Sequence, residues 1–216
     1  MKKKILLVAF LATITMSQAQ EDEKTNTDKV TFGVKGGINI SSADFDDSVK
    51  DIVPSVSSLV GANVGVFTNI PLGGKFAFQP EVLFSMQGFK YIYDDVYSKS
   101  DIETKLNYIS IPLNTQFYII DKLYIAAGSQ FDLLVSAKGS YTSTVKFTNE
   151  VTTVTDKDLK YNYKSLVFGI NFGAGYKIND NISANVRYCL GLSPANKGNT
   201  ITSRNRVLQI GVGYSF

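Results

Sequence analysis

The chain has 216 residues and contains 22 basic and 19 acidic side chains, a single cysteine, and neither histidine nor tryptophan. The absence of histidine excludes catalysis by an imidazole base and metal sites built on imidazole ligands. One cysteine allows neither an internal disulfide nor a cysteine metal cluster. No other catalytic spacing stands out, so the sequence favours a non-enzymatic protein without a cofactor.

The first residues predict export. Residues 2–4 are lysines, residues 5–14 form an apolar run, and residues 17–19 (SQA) offer a small-x-small cleavage site. Because that run is well below the ~20 residues of a spanning helix, we predict a signal peptide over residues 1–19 rather than a membrane anchor. Its removal leaves 22 − 3 = 19 basic against 19 acidic side chains. A chain with no net charge gives no reason to expect a nucleic-acid partner.

Residues 20–30 (QEDEKTNTDKV) are polar and charged, which predicts a flexible periplasmic leader. Residues 31–216 then suit one β domain. Within it, apolar and polar residues alternate in eight segments, as in β-strands with one polar face. We place these strands at about 31–41, 59–70, 75–90, 105–119, 123–137, 164–177, 181–192 and 206–216.

The last segment, RVLQIGVGYSF, shows the pattern most completely. One face carries Leu208, Ile210, Val212, Tyr214 and Phe216, and the other face is small or polar. Apolar outer faces throughout favour contact with lipid over a soluble sandwich or a soluble ligand-carrying barrel. Ten residues at ~3.3 Å each, tilted by ~40°, span about 25 Å, which is the height of the apolar band of a transmembrane barrel.

The connections alternate between short and long. The short ones, at 71–74, 120–122 and 179–180, contain residues that favour turns. The long ones are polar and lie at about 42–58, 91–104, 138–163 and 193–204. This alternation is typical of outer-membrane barrels. We therefore predict an all-β fold: an eight-stranded antiparallel up-and-down transmembrane β-barrel with short periplasmic turns and long external loops.

Aromatic residues of outward parity cluster at the short-turn end of their strands. They predict an aromatic girdle at one boundary between lipid and water, made of Phe32, Phe76, Phe78, Phe117 and Tyr176, together with Tyr214 and Phe216. The alternative is a set of ordinary core aromatics in a soluble protein.

Polar residues of inward parity predict a filled lumen, because an eight-stranded barrel holds little more than its own side chains. They are Lys35, Asn39, Asn63, Gln79, Glu81, Gln87, Asn114, Gln116, Gln130, Asp132, Asn171, Asn185, Arg187 and Gln209. Glu81 and Arg187 lie at similar depth on opposite strands, so we predict that they pair directly or through water, with Lys35 nearby, since buried charges need partners. Asp132 completes this charged set. A narrow conducting lumen is the alternative.

Several stretches resemble the PorT-like family of small outer-membrane β-barrel proteins: 34–41, 78–88, 107–119, 123–138, 186–195 and the final strand. The most specific elements are Tyr-x-x-Ile-Pro at 108–112 and Arg-Tyr-x-x-Gly-Leu at 187–192. The resemblance implies a barrel that the barrel-assembly machinery inserts into the outer membrane, with Tyr214 and Phe216 in the C-terminal signal that this machinery recognises. One namesake assists a protein secretion system. The family is functionally diverse, so the likeness does not fix a function.

We expect a monomer surrounded by outer-membrane lipid, with a structural or surface-binding role for a protein or ligand at its first and third loops. The first loop contains Asp44, Asp46 and Asp47, with Asp51 beyond, and a solvated acidic loop is favoured there over a cation site. The third loop contains VKFTNEVTTVT, which is compatible with a hairpin above the membrane. The alternative roles are a narrow porin-like passage for small solutes and an accessory subunit of a secretion or surface-assembly complex.

Overall fold

The computed structural model describes residues 29–45, 56–197 and 202–216. The predicted signal peptide, most of the predicted leader, and the first-loop residues Asp46, Asp47 and Asp51 lie outside these ranges. None of the described residues belongs to a helix of the length and hydrophobicity that a membrane crossing requires.

The described residues form nine strands that pair only in antiparallel fashion. Their bounds are β1 Thr31–Phe45, β2 Val56–Gly73, β3 Phe76–Asp94, β4 Ser98–Ile120, β5 Leu123–Val145, β6 Val151–Asp158, β7 Leu166–Lys177, β8 Ile182–Gly191 and β9 Ser203–Ser215. The order β4-β3-β2-β1-β9-β8-β7-β5, with a further pairing of β4 to β5, closes eight strands into a ring. The predicted eight-stranded barrel is confirmed, and β6 is an additional strand that pairs with β5 outside the ring.

Alternation of side chains explains why these segments close into a barrel. In the β1–β9 pair, Ile38 lies beside Ile210 on the outer surface, and Asn39 lies beside Gln209 inside. Inward glycines make room for large neighbours in so narrow a ring. At Gly175, for example, a Cβ atom would overlap the ring of Tyr124. Glycine at such a position is a requirement of packing.

The β2–β3 turn shows why the short connections can be so tight. Gly73 and Gly74 adopt φ values of +97° and +59°. Glycine reaches this left-handed region without the steric cost that other residues incur. The chain can therefore reverse direction within the Pro-Leu-Gly-Gly segment at 71–74.

Two of the predicted loops are largely strand. The prediction of a long loop at 91–104 is wrong, because β3 continues to Asp94 and β4 begins at Ser98. The predicted third loop, 138–163, contains the end of β5 and all of β6. Residues 88–94, 98–107, 136–145 and β6 thus form a sheet beyond the barrel rim, here called the protruding sheet. Its outward positions are largely polar because water replaces lipid there, whereas inward residues such as Phe89 and Leu106 stay buried.

Candidate functional site

Two cationic side chains and one carboxylate meet inside the barrel. Lys35 Nζ lies 3.1 Å from one carboxylate oxygen of Glu81, and Arg187 Nη2 lies 3.0 Å from the other. Gln79 also donates to Glu81 at 2.8 Å, and Arg187 Nε donates to Gln209 at 2.9 Å. All five side chains are buried. Each charge in this cluster therefore has hydrogen-bonding partners, which a buried ion requires.

Asp132, the fourth charged residue predicted for the lumen, lies apart from this cluster. Gln130 donates to both of its carboxylate oxygens, at 2.9 and 3.1 Å. The thiol of Cys189 donates to the carbonyl oxygen of Gln130 at 3.4 Å. Among the described residues Asp132 has no ion-pair partner. The structure thus brings together three of the four predicted charged residues.

The remaining polar residues close the lumen. Asn63 donates to Asn39 at 2.6 Å, and Asn39 donates to Ser85 at 3.0 Å. Of the fourteen polar residues predicted to face inward, thirteen are buried and Asn185 is half-buried. The cavities left beside Glu81 and beside Asp132 have volumes of about 20 and 10 Å³. Such volumes hold about one water molecule each.

An apolar layer lies above the polar core at the long-loop end. Its buried members are Ala43, Phe89, Leu106, Tyr108, Leu134, Ala137, Tyr163, Val167 and Ala195. Tyr108 faces the polar side, where its hydroxyl accepts a hydrogen bond from Asn205 at 3.2 Å. This layer was not predicted from the sequence, although the inward parity of Leu106 and Val167 was a signal. A register shift at Asn107/Tyr108 moves Ala137 to the inner face, which a regular alternation does not predict.

A cavity of about 730 Å³, here called the vestibule, opens above the apolar layer. Part of its wall is an aromatic cluster of Phe45, Phe89 and Tyr91. The ring centroids of Phe45 and Phe89 are 5.6 Å apart with an edge-to-face orientation, and those of Phe89 and Tyr91 are 6.3 Å apart with nearly parallel planes. Aromatic rings at these separations attract one another and hold the wall in place.

Two chain segments pack together to form another side of the vestibule. Leu159 N donates to the carbonyl oxygen of Ala137 at 2.9 Å, which fixes the segment after β6 onto the barrel rim. Lys164 N donates to Ala195 O at 2.8 Å, and this ties the segment to the one before β9. Tyr163 lies buried between them, and burial raises its pKa to about 12.

The charged groups that line the vestibule are cations. Lys157 and Lys197 belong to the lining, and no carboxylate of the described residues does. The ammonium group of Lys197 lies 5.0 Å from the ring centroid of Tyr161, a cation–π contact. The neutral polar lining consists of Thr104, Ser140, Asn162, Asn196 and Ser203, with Tyr hydroxyls. This site therefore combines aromatic faces, hydrogen-bonding groups and positive charge.

Comparison with known families identifies this barrel. The family model described as "Outer membrane protein beta-barrel domain" matches residues 18–196. The chain belongs to this family. It is an outer-membrane protein, and its short turns accordingly face the periplasm while its long connections face outward. This match does not assign the chain to the PorT-like family in particular.

Solved structures of other small barrels are similar to this chain at low identity. Ail of Yersinia pestis is 12% identical, with a TM-score of 0.46, and the match covers 87% of this chain and 99% of Ail. Neisserial surface protein A is 14% identical, with a TM-score of 0.48 and the same coverages. OprG of Pseudomonas aeruginosa is 10% identical, with a TM-score of 0.37 and coverages of 86% and 95%. No curated protein sequence gives a significant match.

The aromatic residues predicted for the girdle lie on the outer surface at the periplasmic end of this outer-membrane barrel. Phe32, Phe76, Phe117, Tyr176, Tyr214 and Phe216 are exposed, and Phe78 is half-buried. The rings of Phe76 and Phe117 are 5.1 Å apart, and those of Tyr214 and Phe216 are 5.7 Å apart. Their roles as girdle and as assembly signal stay predictions.

The one described residue of the acidic first-loop group is Asp44. It forms an ion pair with Arg206 on the neighbouring strand β9. This pair lies just beyond the apolar band, next to Leu208. Asp44 therefore has a cationic side chain as its partner, in keeping with a surface role.

Proposed function

We propose that this outer-membrane barrel is a non-enzymatic surface-recognition protein that binds an external ligand in its vestibule and conducts no solute through its lumen. The observation that carries this proposal is the pairing of a 730 Å³ external cavity with a lumen whose cavities hold single waters. A wide mouth above a filled core suits capture of a ligand and not its passage.

The lining of the vestibule supports a ligand class. Sites for small molecules have volumes of about 300–1,000 Å³ and combine apolar and aromatic walls with a few polar groups. Tyr91 offers a ring face, while Lys157 and Lys197 favour negative charge. We therefore expect a ligand with an aromatic or sugar ring that is uncharged or anionic.

The polar core supports a closed lumen. Passage of a solute would require Lys35, Glu81 and Arg187 to separate within a site shielded from water. Removing one partner of a buried ion pair costs about 3–5 kcal/mol, and moving these charges apart without water would leave each of them similarly uncompensated. The apolar layer above, which includes Leu106 and Leu134 at 0% and 7% exposure, is a second obstruction.

Two other roles give different results in the same experiments. A narrow porin-like passage requires steady conductance. An accessory subunit of a secretion complex, the role of one namesake of the PorT-like family, would bind its partner through the periplasmic turns. A cavity of about 410 Å³ does open at the periplasmic end, lined in part by Lys122 and Lys177. If the protein acts through this periplasmic cavity, substitutions in the vestibule should not affect its function.

Ligand binding is tested with 2-naphthoate, an aromatic anion, and a matched cationic naphthylmethylamine, both titrated against protein in nanodiscs. Tyr91→Ala should weaken naphthoate binding by about tenfold, because an aromatic contact contributes about 1–1.5 kcal/mol. Tyr93→Ala is the matched control, since Tyr93 lies on the same strand but does not line the vestibule. Equal affinity of Tyr91→Ala and Tyr93→Ala for naphthoate would contradict the proposal. Tighter binding of the naphthylmethylamine than of naphthoate to the wild type would also contradict it.

The closed lumen is tested by planar-bilayer recording of the purified protein. We expect no steady ohmic conductance above that of the bare bilayer. A conductance that scales with salt concentration and persists over many insertions would replace this proposal with the porin-like one.

A further inference from the structure

The protruding sheet ends in an open edge at β6. Strand β6 pairs with β5 on one side, and no strand among the described residues pairs with its other side. A closed barrel otherwise removes sheet edges altogether, so such an edge is unusual in this architecture. We propose that the free edge of β6 accepts an extended strand from an external partner protein.

The hydrogen-bond pattern of the hairpin identifies the main-chain groups that remain available. Val145 N donates to Glu150 O at 2.9 Å, which makes these two residues a hydrogen-bonded pair. In an antiparallel ladder such pairs alternate with non-bonded ones. Val151 and Thr153 are therefore non-bonded positions towards β5, and their N–H and C=O groups point to the free edge. Two hydrogen-bonding positions are thus presented to an incoming strand.

The side chains of this edge lack the features that normally prevent strand addition. Residues 151–155 read VTTVT, with neither charge nor proline. Val and Thr are β-branched and favour the extended conformation that a template requires. The charges begin only at Asp156, where a φ of +53° interrupts the strand. Edge strands are usually blunted by charge, proline or a bulge, and here that protection covers only the last third of β6.

The orientation of barrels in a membrane decides against a second copy as the occupant. Copies in one membrane point the same way, and barrel strands tilt by about 40° from the normal. A two-fold axis along that normal relates two β6 strands at about 80°, which is far from the near-parallel alignment of paired strands. A segment of a different protein has no such constraint. The protruding sheet lies beyond the apolar band, so an external segment can reach it.

Strand addition is tested with a fluorescein-labelled peptide, KGSYTSTV, which copies residues 138–145 and already has a sequence that pairs with β6. Its anisotropy is titrated against protein in nanodiscs. Thr153→Pro removes an N–H that points to the free edge, and proline is tolerated at such edge positions. Thr153→Ala is the matched control because it removes the same side chain but keeps the N–H.

We expect saturable binding to the wild type and to Thr153→Ala, and binding weaker by about tenfold for Thr153→Pro. Hydrogen-exchange protection of Val145 reports whether the hairpin persists, and Val151→Pro repeats the test at the second free position. Absence of saturable binding to the wild type overturns the proposal. So does equal binding by the alanine and proline variants, or cross-linking that shows β6 of one copy against β6 of another.

Discussion

The buried charge cluster gives the sharpest test of how this barrel is stabilised. Glu81→Gln preserves the shape of the side chain but removes the one anion that, among the described residues, contacts Lys35 and Arg187. Removing one partner of a buried ion pair costs about 3–5 kcal/mol, because the remaining charge is left uncompensated. A matched control exists on the protruding sheet, where Glu103 contacts Lys90 at 2.5 Å and a second lysine at 3.0 Å.

The two glutamates have the same number of cationic partners and differ in burial. The side chain of Glu81 is 1% exposed and that of Glu103 is 24% exposed. Exposed pairs contribute about 0–1 kcal/mol, so Glu103→Gln should lower the free energy of unfolding by no more than that. Urea unfolding in detergent micelles, followed by tyrosine fluorescence, measures both. Equal losses in the two variants, or a loss below about 1 kcal/mol for Glu81→Gln, would refute the argument that burial sets the cost.

Two further predictions concern the vestibule and the narrow ring. Burial raises the pKa of Tyr163 to about 12, so its neutral form stabilises the fold below the usual pKa of about 10, and this contribution is lost as the pH rises through about 12. Tyr163→Phe should therefore remove the ionisation phase near pH 12 from an absorbance titration. Gly128→Ala should cost about 1–3 kcal/mol in urea unfolding because its Cβ would overlap the backbone of Leu113. Gly36→Ala should be neutral, since its nearest neighbouring atom would be 3.5 Å away.

The barrel can be predicted from the alternation of apolar and polar side chains, which is clear in the sequence. Lipid favours apolar residues at most outward positions, and the small lumen favours polar or small residues at most inward ones. The inward placement of Glu81 and Arg187 could therefore be derived from strand numbering alone. Asp132 shows the limit of that reasoning. Parity places a residue on a face, but its partners depend on side-chain reach, and Asp132 lies against Gln130.

The protruding sheet could not be derived in the same way. Beyond the apolar band, water replaces lipid at the outer face of a strand, so outward positions are polar and the apolar–polar alternation that identifies strands is lost. Residues 98–104 (SKSDIET) read as a polar loop and are nevertheless strand. The register shift at Asn107/Tyr108 further changes the face to which residues point, which brings Ala137 into the apolar layer. A bulge of this kind has no signature in a period-two pattern.

The change from lipid to water around the strands also gives the barrel and the protruding sheet different roles. Within the membrane, each inward position is committed to filling the lumen, so a mutation there acts on stability. Outside the membrane, water satisfies the backbone and side chains, which frees the strands to present Phe89 and Tyr91 to a cavity and Thr153 to an open edge. Thr153→Pro should therefore alter binding and leave the urea midpoint unchanged, and Tyr91→Ala should alter binding with a loss of stability of only about 0.5–1.5 kcal/mol from its ring contacts, whereas Glu81→Gln should lower stability by more and leave binding unchanged. A common loss of stability in all three variants would show that barrel and protruding sheet unfold as one unit.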